Sequence, residues 1–395
     1  MNTATALESD AADVVVIGGG LVGAAAALAL SGRCSVALLE RGEIGAAQSS
    51  RALGWVRVSG RDPRDVPLAL ETRRLWEQFG SHAGYRRAGL LFACGEPGEL
   101  AEHESWLERV RHYALDAHLI DARTAAGLAP HLSMRLAGAL YSPLDGRVEP
   151  ALAARALAAL AAERGAVIAP GTQVQAIHTH AGAVAGVVTA RGEVRCRAVI
   201  VAAAGSSGGL CRPLGVRLPI QVVESFVSST APLTGPEISV YAAGVGLRRT
   251  LDGRYVLGVQ RRIAVITRES LRWLGLFLPA WRQHRKLTRL RLGFGPMRAD
   301  PWREEVWRRA RGLYPFLRDG AVTDNWGGAI DVTPDALPII GAAPAVPGLY
   351  IAAGFSGGGL GNGLGGGFLA ADLALGNTPR VDPDPYRPER FFPHN

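Results

Sequence analysis

The stretch Asp13–Gly23, Asp-Val-Val-Val-Ile-Gly-Gly-Gly-Leu-Val-Gly, limits what this 395-residue chain can fold into more than any other. Four β-branched residues, Val14 to Ile17, read as a buried strand and run directly into Gly18-x-Gly20-x-x-Gly23. The alanine-rich segment Ala24–Leu30 continues as a helix, and a second apolar run, Val36–Leu39, ends on Glu40. Strand, glycine turn, helix, strand and terminal acid make a βαβ unit that binds a dinucleotide. Gly18 permits the tight turn, Gly20 lets the backbone approach a pyrophosphate, and Gly23 lets helix and strand pack closely. The helix N-terminus, at Leu21 and Val22, offers amide donors and a positive dipole to the phosphates. Glu40 stands 22 residues beyond Gly18, where a carboxylate accepts from ribose hydroxyls.

Composition narrows the class of protein. A chain of this length predicts two or three domains, and 48% hydrophobic with 20% charged residues describes an ordinary soluble globular protein. Neither a secretory leader nor a membrane-spanning run is evident, so a cytoplasmic location is expected. The net charge of +8 is almost wholly arginine, since Lys286 is the only lysine. The basic residues are scattered without interleaved aromatics, which argues against nucleic acid. Cys34, Cys94, Cys196 and Cys211 form no Cys-x-x-Cys pair and read as free thiols in a reducing compartment. The nine histidines contain no His-Glu-x-x-His spacing, and no metal centre is expected.

Past Glu40 the chain reads Arg41-Gly-Glu-Ile-Gly45, then Gln48-Ser49-Ser50-Arg51-Ala-Leu-Gly54. An acid closing the second strand, a glycine, and Ser-Ser-Arg-x-x-Gly resemble the FAD-binding N-terminus of the D-amino-acid oxidase, glycine oxidase and sarcosine oxidase superfamily. The far end resembles it too. Asn325-Trp-Gly-Gly-Ala-Ile-Asp-Val-Thr-Pro-Asp-Ala-Leu-Pro-Ile-Ile-Gly341 precedes a strand, Gly348–Ala353, which meets Gly354-Phe-Ser-Gly357-Gly358-Gly359-Leu360-Gly361. A helix is expected over Gly365–Leu375. The resemblance implies that Glu40 and Arg41 lie at the adenosine ribose and that Gln48, Ser49, Ser50, Arg51 and Gly54 pass close to the flavin. It implies backbone bonds to adenine at Val174 and close passage of the cofactor along Ala204 and Gly205. Gly354, Gly357, Gly358, Gly359 and Leu360 would then place amides at the N1–C2=O2 edge of the flavin. No cysteine lies in that loop, so FAD is expected to be held non-covalently.

The fold class expected is α/β plus α+β, an FAD-binding Rossmann-like domain with a second, mainly antiparallel substrate domain. Interleaving divides it into residues 10–66, 141–217 and 325–380 for the cofactor, 67–140 and 218–324 for the substrate, and a tail at 381–395. Amphipathic helices read at Leu68–Phe79, Glu99–Tyr113 and Ala151–Arg164. Strands read at Leu218–Thr230, Ser239–Ala243, Gly246–Arg249 and Arg254–Gln260. Ser270–Leu290 reads as a helical pair broken at Pro279. Its distal basic cluster, Arg282, His284, Arg285, Lys286, Arg289 and Arg291, is either a solvated face or a peripheral contact with anionic membrane.

The resemblance implies an enzyme that oxidises the C–N bond of an amino acid or related amine, hydride passing to flavin N5 and the imine product hydrolysing. Arg57, after Gly54-Trp-Val, holds the offset at which sarcosine oxidases place a carboxylate-binding arginine, and a guanidinium can grip a carboxylate with two parallel bonds. Arg248, before the Asp252-Gly253 turn, is a second candidate. Three departures stand out. Ile330 occupies the place of a glycine-oxidase arginine, Gly358 that of a histidine common among relatives, and Val256 falls near the position of the lysine with which sarcosine oxidases promote reaction with oxygen. The expectation is therefore an electron acceptor other than oxygen, such as a redox partner, with oligomerisation left open. The alternatives are a flavin-bearing subunit of a hetero-oligomeric amine or opine dehydrogenase, and a flavin monooxygenase or reductase. The monooxygenase alternative is weakened by Gly354-Phe-Ser, where such enzymes carry a Gly-Asp pair.

Overall fold

The computed structural model describes residues 11–259, 262–283, 287–292 and 302–392. Its first layer is a six-stranded sheet in the order Ile339–Ala342, Leu349–Ala353, Ala198–Val201, Val14–Ile17, Val36–Leu39, Val167–Ala169. All neighbours are parallel except the first pair. Val14–Ile17 is central and buried, as its unbroken apolar sequence requires of a parallel strand covered on both faces. Alternate residues serve different faces. Val14 and Val16 pack under the helices Leu21–Leu30, Pro150–Glu163 and Gly359–Ala374. Val15 and Ile17 pack under a three-stranded sheet, Val174–His180, Ala183–Thr189 and Gly192–Arg195.

The last helix starts at Gly359, six residues ahead of the expected Gly365. A segment with so many glycines has poor intrinsic helicity, which is why the sequence withholds the helix. Packing supplies it. A Cβ placed on Gly367 would lie 2.5 Å from Val22 O and 2.8 Å from Ala26 N, so the two helices touch backbone to backbone because the glycines are bare.

The second layer is a ten-stranded sheet. Gln221–Thr230 pairs along its whole length with Val322–Val332 on one side, and with Tyr255–Val259 and Arg262–Ile266 on the other. The sheet continues through Val245–Arg249, Ser239–Ala242, Leu90–Cys94, Gly138–Ser142 and His118–Asp121. It is antiparallel but for two pairs, Ser239–Ala242 on Leu90–Cys94 and Arg262–Ile266 on Leu287–Leu292. Val322–Val332 carries this sheet past position 325, where the sequence divides the two domains. One face packs on the helix Arg303–Leu313. The other, with Phe92 and Leu140, meets the helices Val66–Phe79 and Pro97–Val110 and the turn at Val58.

The Ser270–Leu290 expectation needs correction. The break falls at Trp273, between helices Arg268–Arg272 and Leu274–Gln283, and Pro279 lies inside the second. Leu287–Leu292 is a strand, consistent with the two-residue alternation of Leu-Thr-Arg-Leu-Arg-Leu. His284, Arg285 and Lys286 lie outside the described residues, and so do the side chains of Arg282, Arg289 and Arg291.

Candidate active site

At the dinucleotide turn, sterics force Gly18 and Gly23, while Gly20 has ordinary backbone angles and only Ser49 Oγ, at 3.2 Å, near a Cβ position. Gly18 has φ +108°, and a Cβ on it would meet Ala202 O at 2.5 Å. A Cβ on Gly23 would lie 1.9 Å from Gly18 O. Gly20 is the N-cap of Leu21–Leu30 and offers no side-chain acceptor to the helix amides. Leu21 N donates to Ser49 Oγ at 2.9 Å, which binds the Ser49 loop to this helix end. Val22 is half-buried and contacts the position of a Gly363 Cβ through its side chain. Glu40 accepts from Gly19 N at 2.7 Å and from Gly42 N at 2.8 Å, one bond to each oxygen. It thus fixes the turn, and each oxygen keeps a lone pair for a hydroxyl. Arg41 beside it is exposed. Thr172 N donates to Glu40 O at 2.7 Å, bringing the start of the Val174 strand alongside.

The second and third loops are tied to each other by a residue the sequence reading assigned no role. Asp331 is 4% exposed. Its Oδ1 accepts from Gln48 Nε2 at 2.8 Å and its Oδ2 from Gly354 N at 2.6 Å. Its carbonyl accepts from Ser356 N at 2.8 Å. Burial pushes its carboxyl above the usual carboxylate range, against the pull of these donors. Ser356 has φ 54°, so a non-glycine residue holds a left-handed conformation between Gly354 and Gly357, also left-handed. Ser50 Oγ bonds its own turn at Ala46 O and Ala47 O. Arg51 is exposed and clipped to the large sheet, Nη1 donating to Gly327 O and its carbonyl accepting from Trp326 Nε1. Ala204 has φ 49° and leads into exposed Gly205.

Gly358 is the N-cap of Gly359–Ala374, again with no side-chain acceptor. Gly359 faces open space, with no atom within 4 Å of where a Cβ would stand. Leu360 buries its side chain, its carbonyl accepts from Trp76 Nε1 at 2.8 Å, and its amide lies in the first helical turn, which has no intrahelical acceptor.

The two arginines anticipated for substrate part company. Arg248 is 2% exposed; Nε donates to Leu53 O at 2.5 Å, while Nη1 and Nη2 meet Glu149 Oε1 and Oε2 at 2.9 and 3.3 Å. Its guanidinium is consumed inside the protein. Gly54, at φ +103°, can pass only because it lacks a Cβ, which would lie 2.4 Å from Arg248 Nε. Arg248 is thus a structural clamp on the Ser49–Gly54 loop and not the substrate-facing group expected of it. Alternation on the strand turned it inward, where a partner from another element was waiting.

Arg57 is half-buried at the seam between the large sheet and the glycine loop. Its carbonyl lies 3.2 Å from the position of a Gly361 Cβ. Nη1 donates to Ser59 O, and the guanidinium stands 5.8 Å from the centre of the Phe92 ring. Phe92 and Tyr241 are tilted neighbours at 5.7 Å, and Trp55 meets Tyr241 edge-on at 6.4 Å. Buried Asp145 fixes the turn, accepting from Val58 N at 2.8 Å and Ser59 N at 3.3 Å. Burial, and after it the neighbouring Arg61, bring the Arg57 pKa down to about 10, so it stays charged at neutral pH.

The residues present fit FAD. Two helices have glycine N-caps, one at the dinucleotide turn, where the Leu21 amide expected for a phosphate is instead bonded to Ser49 Oγ, and one at the open Gly359 surface, and both loops are joined through Ser49, Gln48 and Asp331. Residues 13–373 match the family described as DAO, FAD dependent oxidoreductase. The chain belongs to this family. It is an FAD-dependent oxidoreductase of the DAO family, 26% identical to sarcosine oxidase subunit beta of Rhizobium meliloti (strain 1021) over 96% of this chain and 88% of that one. It is equally 26% identical to mitochondrial sarcosine dehydrogenase of Homo sapiens, covering 96% of this chain but only 41% of that longer protein. Among solved structures, L-amino acid deaminase from Proteus myxofaciens superposes with TM-score 0.92 at 24% identity, over 99% of this chain and 96% of that one. Glycine oxidase from Geobacillus kaustophilus superposes with TM-score 0.82 at 25% identity, over 97% and 99%.

Sequence reasoning gave no role to three residues that adjoin these loops: Asp331, Arg61 and Arg262. Arg262 Nη2 lies 3.4 Å from the position of a Gly357 Cβ, and burial lowers its pKa. Asp331 was visible as an acid between Ile330 and Val332, and Arg61 as the middle of Arg57-x-x-x-Arg61-x-x-x-Asp65. His178 and His180 stand two apart on one strand, but His178 Nδ1 pairs with Glu193 Oε1 at 2.5 Å. No cluster able to hold a metal occurs among the described residues, where the four cysteines are free thiols.

Proposed function

We propose that this enzyme oxidises the C–N bond of a small amine bearing a carboxylate, an amino acid or its N-alkyl derivative. Arg57 would grip the carboxylate. FAD, when bound, supplies the hydride acceptor. The observation that carries the proposal is the setting of Arg57: a charged guanidinium against the Phe92 ring, on a turn that Asp145 pins and whose Arg57 carbonyl adjoins Gly361, with one bond to a backbone carbonyl and its other N–H groups free among the described residues. Orientation is the contribution of the turn. With the carboxylate held by two parallel bonds, the α-carbon is confined to one small volume. Phe92, Tyr241 and Trp55 wall that side with aromatic surface and exclude water, which strengthens the ion pair. The likeness to proteins named for sarcosine and amino acids supports this substrate class.

Anaerobic mixing with D-, L- and N-alkyl amino acids, each beside its decarboxylated amine, tests the proposal. Bleaching of the visible flavin absorbance by the acids and not by the amines is expected. Equal bleaching by both would remove the carboxylate from recognition.

Electrons leave, on this reading, to an acceptor other than oxygen. The position expected for an oxygen-activating lysine falls near Val256, which is buried, and Lys286 is the only lysine of the chain. Stoichiometric peroxide during turnover in air would contradict it. Likeness to a named subunit supports an acceptor reached in a hetero-oligomer, and the alternative is one at a membrane surface; no helix among the described residues is long and apolar enough to cross a membrane. Exposed Leu271, Leu274 and Leu278 beside the arginine-rich sequence would form the apolar side of such a surface contact. Co-sedimentation with anionic vesicles checks the membrane arrangement, and mass photometry of the protein with its co-expressed neighbours checks the hetero-oligomer.

A further inference from the structure

The N-terminal turn of Gly359–Ala374 carries the positive end of a 16-residue helix. Proteins normally place acids there, because a cation is repelled. Here a guanidinium lies against it. A Cβ on Gly361 would stand 1.9 Å from Arg61 Nη2, and one on Gly358 would stand 2.9 Å from Arg61 Nη1. The Arg61 side chain is only 8% exposed, so solvent does little to screen it. Every bond that holds Arg61 is internal. Nε donates to Arg57 O at 2.7 Å, and Nη1 meets Asp65 Oδ2 at 3.3 Å.

Asp65 in turn accepts from Asn362 Nδ2, from the second turn of the same helix. Asp65 Oδ1 and Asn362 Oδ1 are buried without any hydrogen bond, and burial pushes the Asp65 carboxyl up despite Arg61. A cation at the wrong helix end, a buried counter-ion and two orphaned oxygens all cost stability. The arrangement has a use only if negative charge comes to rest on the glycine turn.

We propose that Arg61 is a positioning residue that raises the positive potential at Gly358–Gly361 and so makes reduction of bound FAD easier. Uptake of hydride delivers two electrons and one proton, adding one negative charge to the isoalloxazine. A fixed cation beside that edge favours the charged product, and Asp65 limits how far. This rests on the FAD assignment but is independent of the role given to Arg57.

The test uses the holoprotein and two readouts other than turnover: the two-electron midpoint potential, and the Kd for sulfite, whose addition also places negative charge on the flavin. Arg61→Gln should weaken sulfite about tenfold and lower the midpoint by about 30 mV, the two-electron equivalent of that factor. Arg61→Lys, which keeps the charge, should stay within about threefold of wild type. Asp65→Asn removes the counter-charge and should shift both readouts the opposite way, so the proposal is tested even if Arg61→Gln loses its flavin. Unchanged potential and sulfite affinity in flavin-replete Arg61→Gln, equal losses in the Lys and Gln variants, or a downward shift in Asp65→Asn would overturn it. A wild-type protein that binds no FAD would instead overturn the cofactor assignment itself.

Discussion

Asp331 makes a demanding prediction, because two substitutions of similar size should behave oppositely. Its two carboxylate oxygens each satisfy one buried donor, Gln48 Nε2 and Gly354 N. The Gly354 amide is backbone and cannot turn away; the Gln48 amide can. In Asp331→Asn, the new Oδ1 can accept from Gly354 N while Gln48 flips and accepts from the new Nδ2. Both bonds survive in neutral form, and a buried charge is removed. The change should cost less than about 1 kcal/mol. In Asp331→Leu both donors lose their partner, at about 1–3 kcal/mol each, offset in part by the apolar side chain. A net loss of about 2–4 kcal/mol is expected. Part of it should appear in cofactor affinity, because the bonds hold two of the loops proposed to lie at the flavin. At 1.4 kcal/mol per tenfold, FAD should bind about tenfold or more weakly to the Leu variant and within about threefold of wild type to the Asn variant.

Unfolding of apo- and holoprotein, with FAD titrated by quenching of its fluorescence, supplies the numbers. The pH dependence is a second check. Burial raises the Asp331 pKa above its unfolded value, so the stability gained from its protonated form is complete below about pH 4 and is lost as pH rises through the folded pKa. Asp331→Asn should lack that decline. Equal damage from Asn and Leu, or an innocuous Leu, would refute the account of the bridge.

Other substitutions probe separate parts. Arg57→Gln should raise KM for a carboxylate substrate about 30- to 100-fold with FAD retained, the equivalent of about 2–3 kcal/mol for lost charge-assisted bonds; an unchanged KM removes Arg57 from the site. Arg248→Met strands Glu149, whose side chain is 18% exposed, and should destabilise the fold by about 3–5 kcal/mol in denaturant unfolding. Adding Glu149→Leu should recover part of the loss, and failure to recover any would mean the pair is not coupled. Gly367→Ala should cost about 1–2 kcal/mol although alanine is the better helix former, because its methyl would sit 2.5 Å from Val22 O; a more stable variant would show that the helices can separate freely. Gly23→Ala should purify without flavin, and a full complement of FAD would contradict the steric argument at Gly18 O.

The first βαβ unit was legible in the sequence because its constraints are local. Gly18, Gly20 and Gly23 lie within one turn of each other, Glu40 ends the adjacent strand, and the apolar runs between them have only one way to be buried. The final helix was harder. Its glycines argue against a helix until Leu21–Leu30 lies against them, a contact that joins the two ends of the chain. The arginines show the limit most clearly. Arg57, Arg61 and Arg248 are the same residue type in similar loops or strands, and nothing in their spacing distinguishes a substrate ligand from a cation on a helix end or a buried clamp. Charge acts through space, and the partners that decide each role come from elsewhere in the chain. Glu149 lies 99 residues from Arg248, and Asp331 lies 283 from Gln48. Sequence set where a dinucleotide could bind, through backbone conformations that short-range sterics enforce. Only the tertiary structure decided which charged groups stand beside those loops and which are spent on holding them in place.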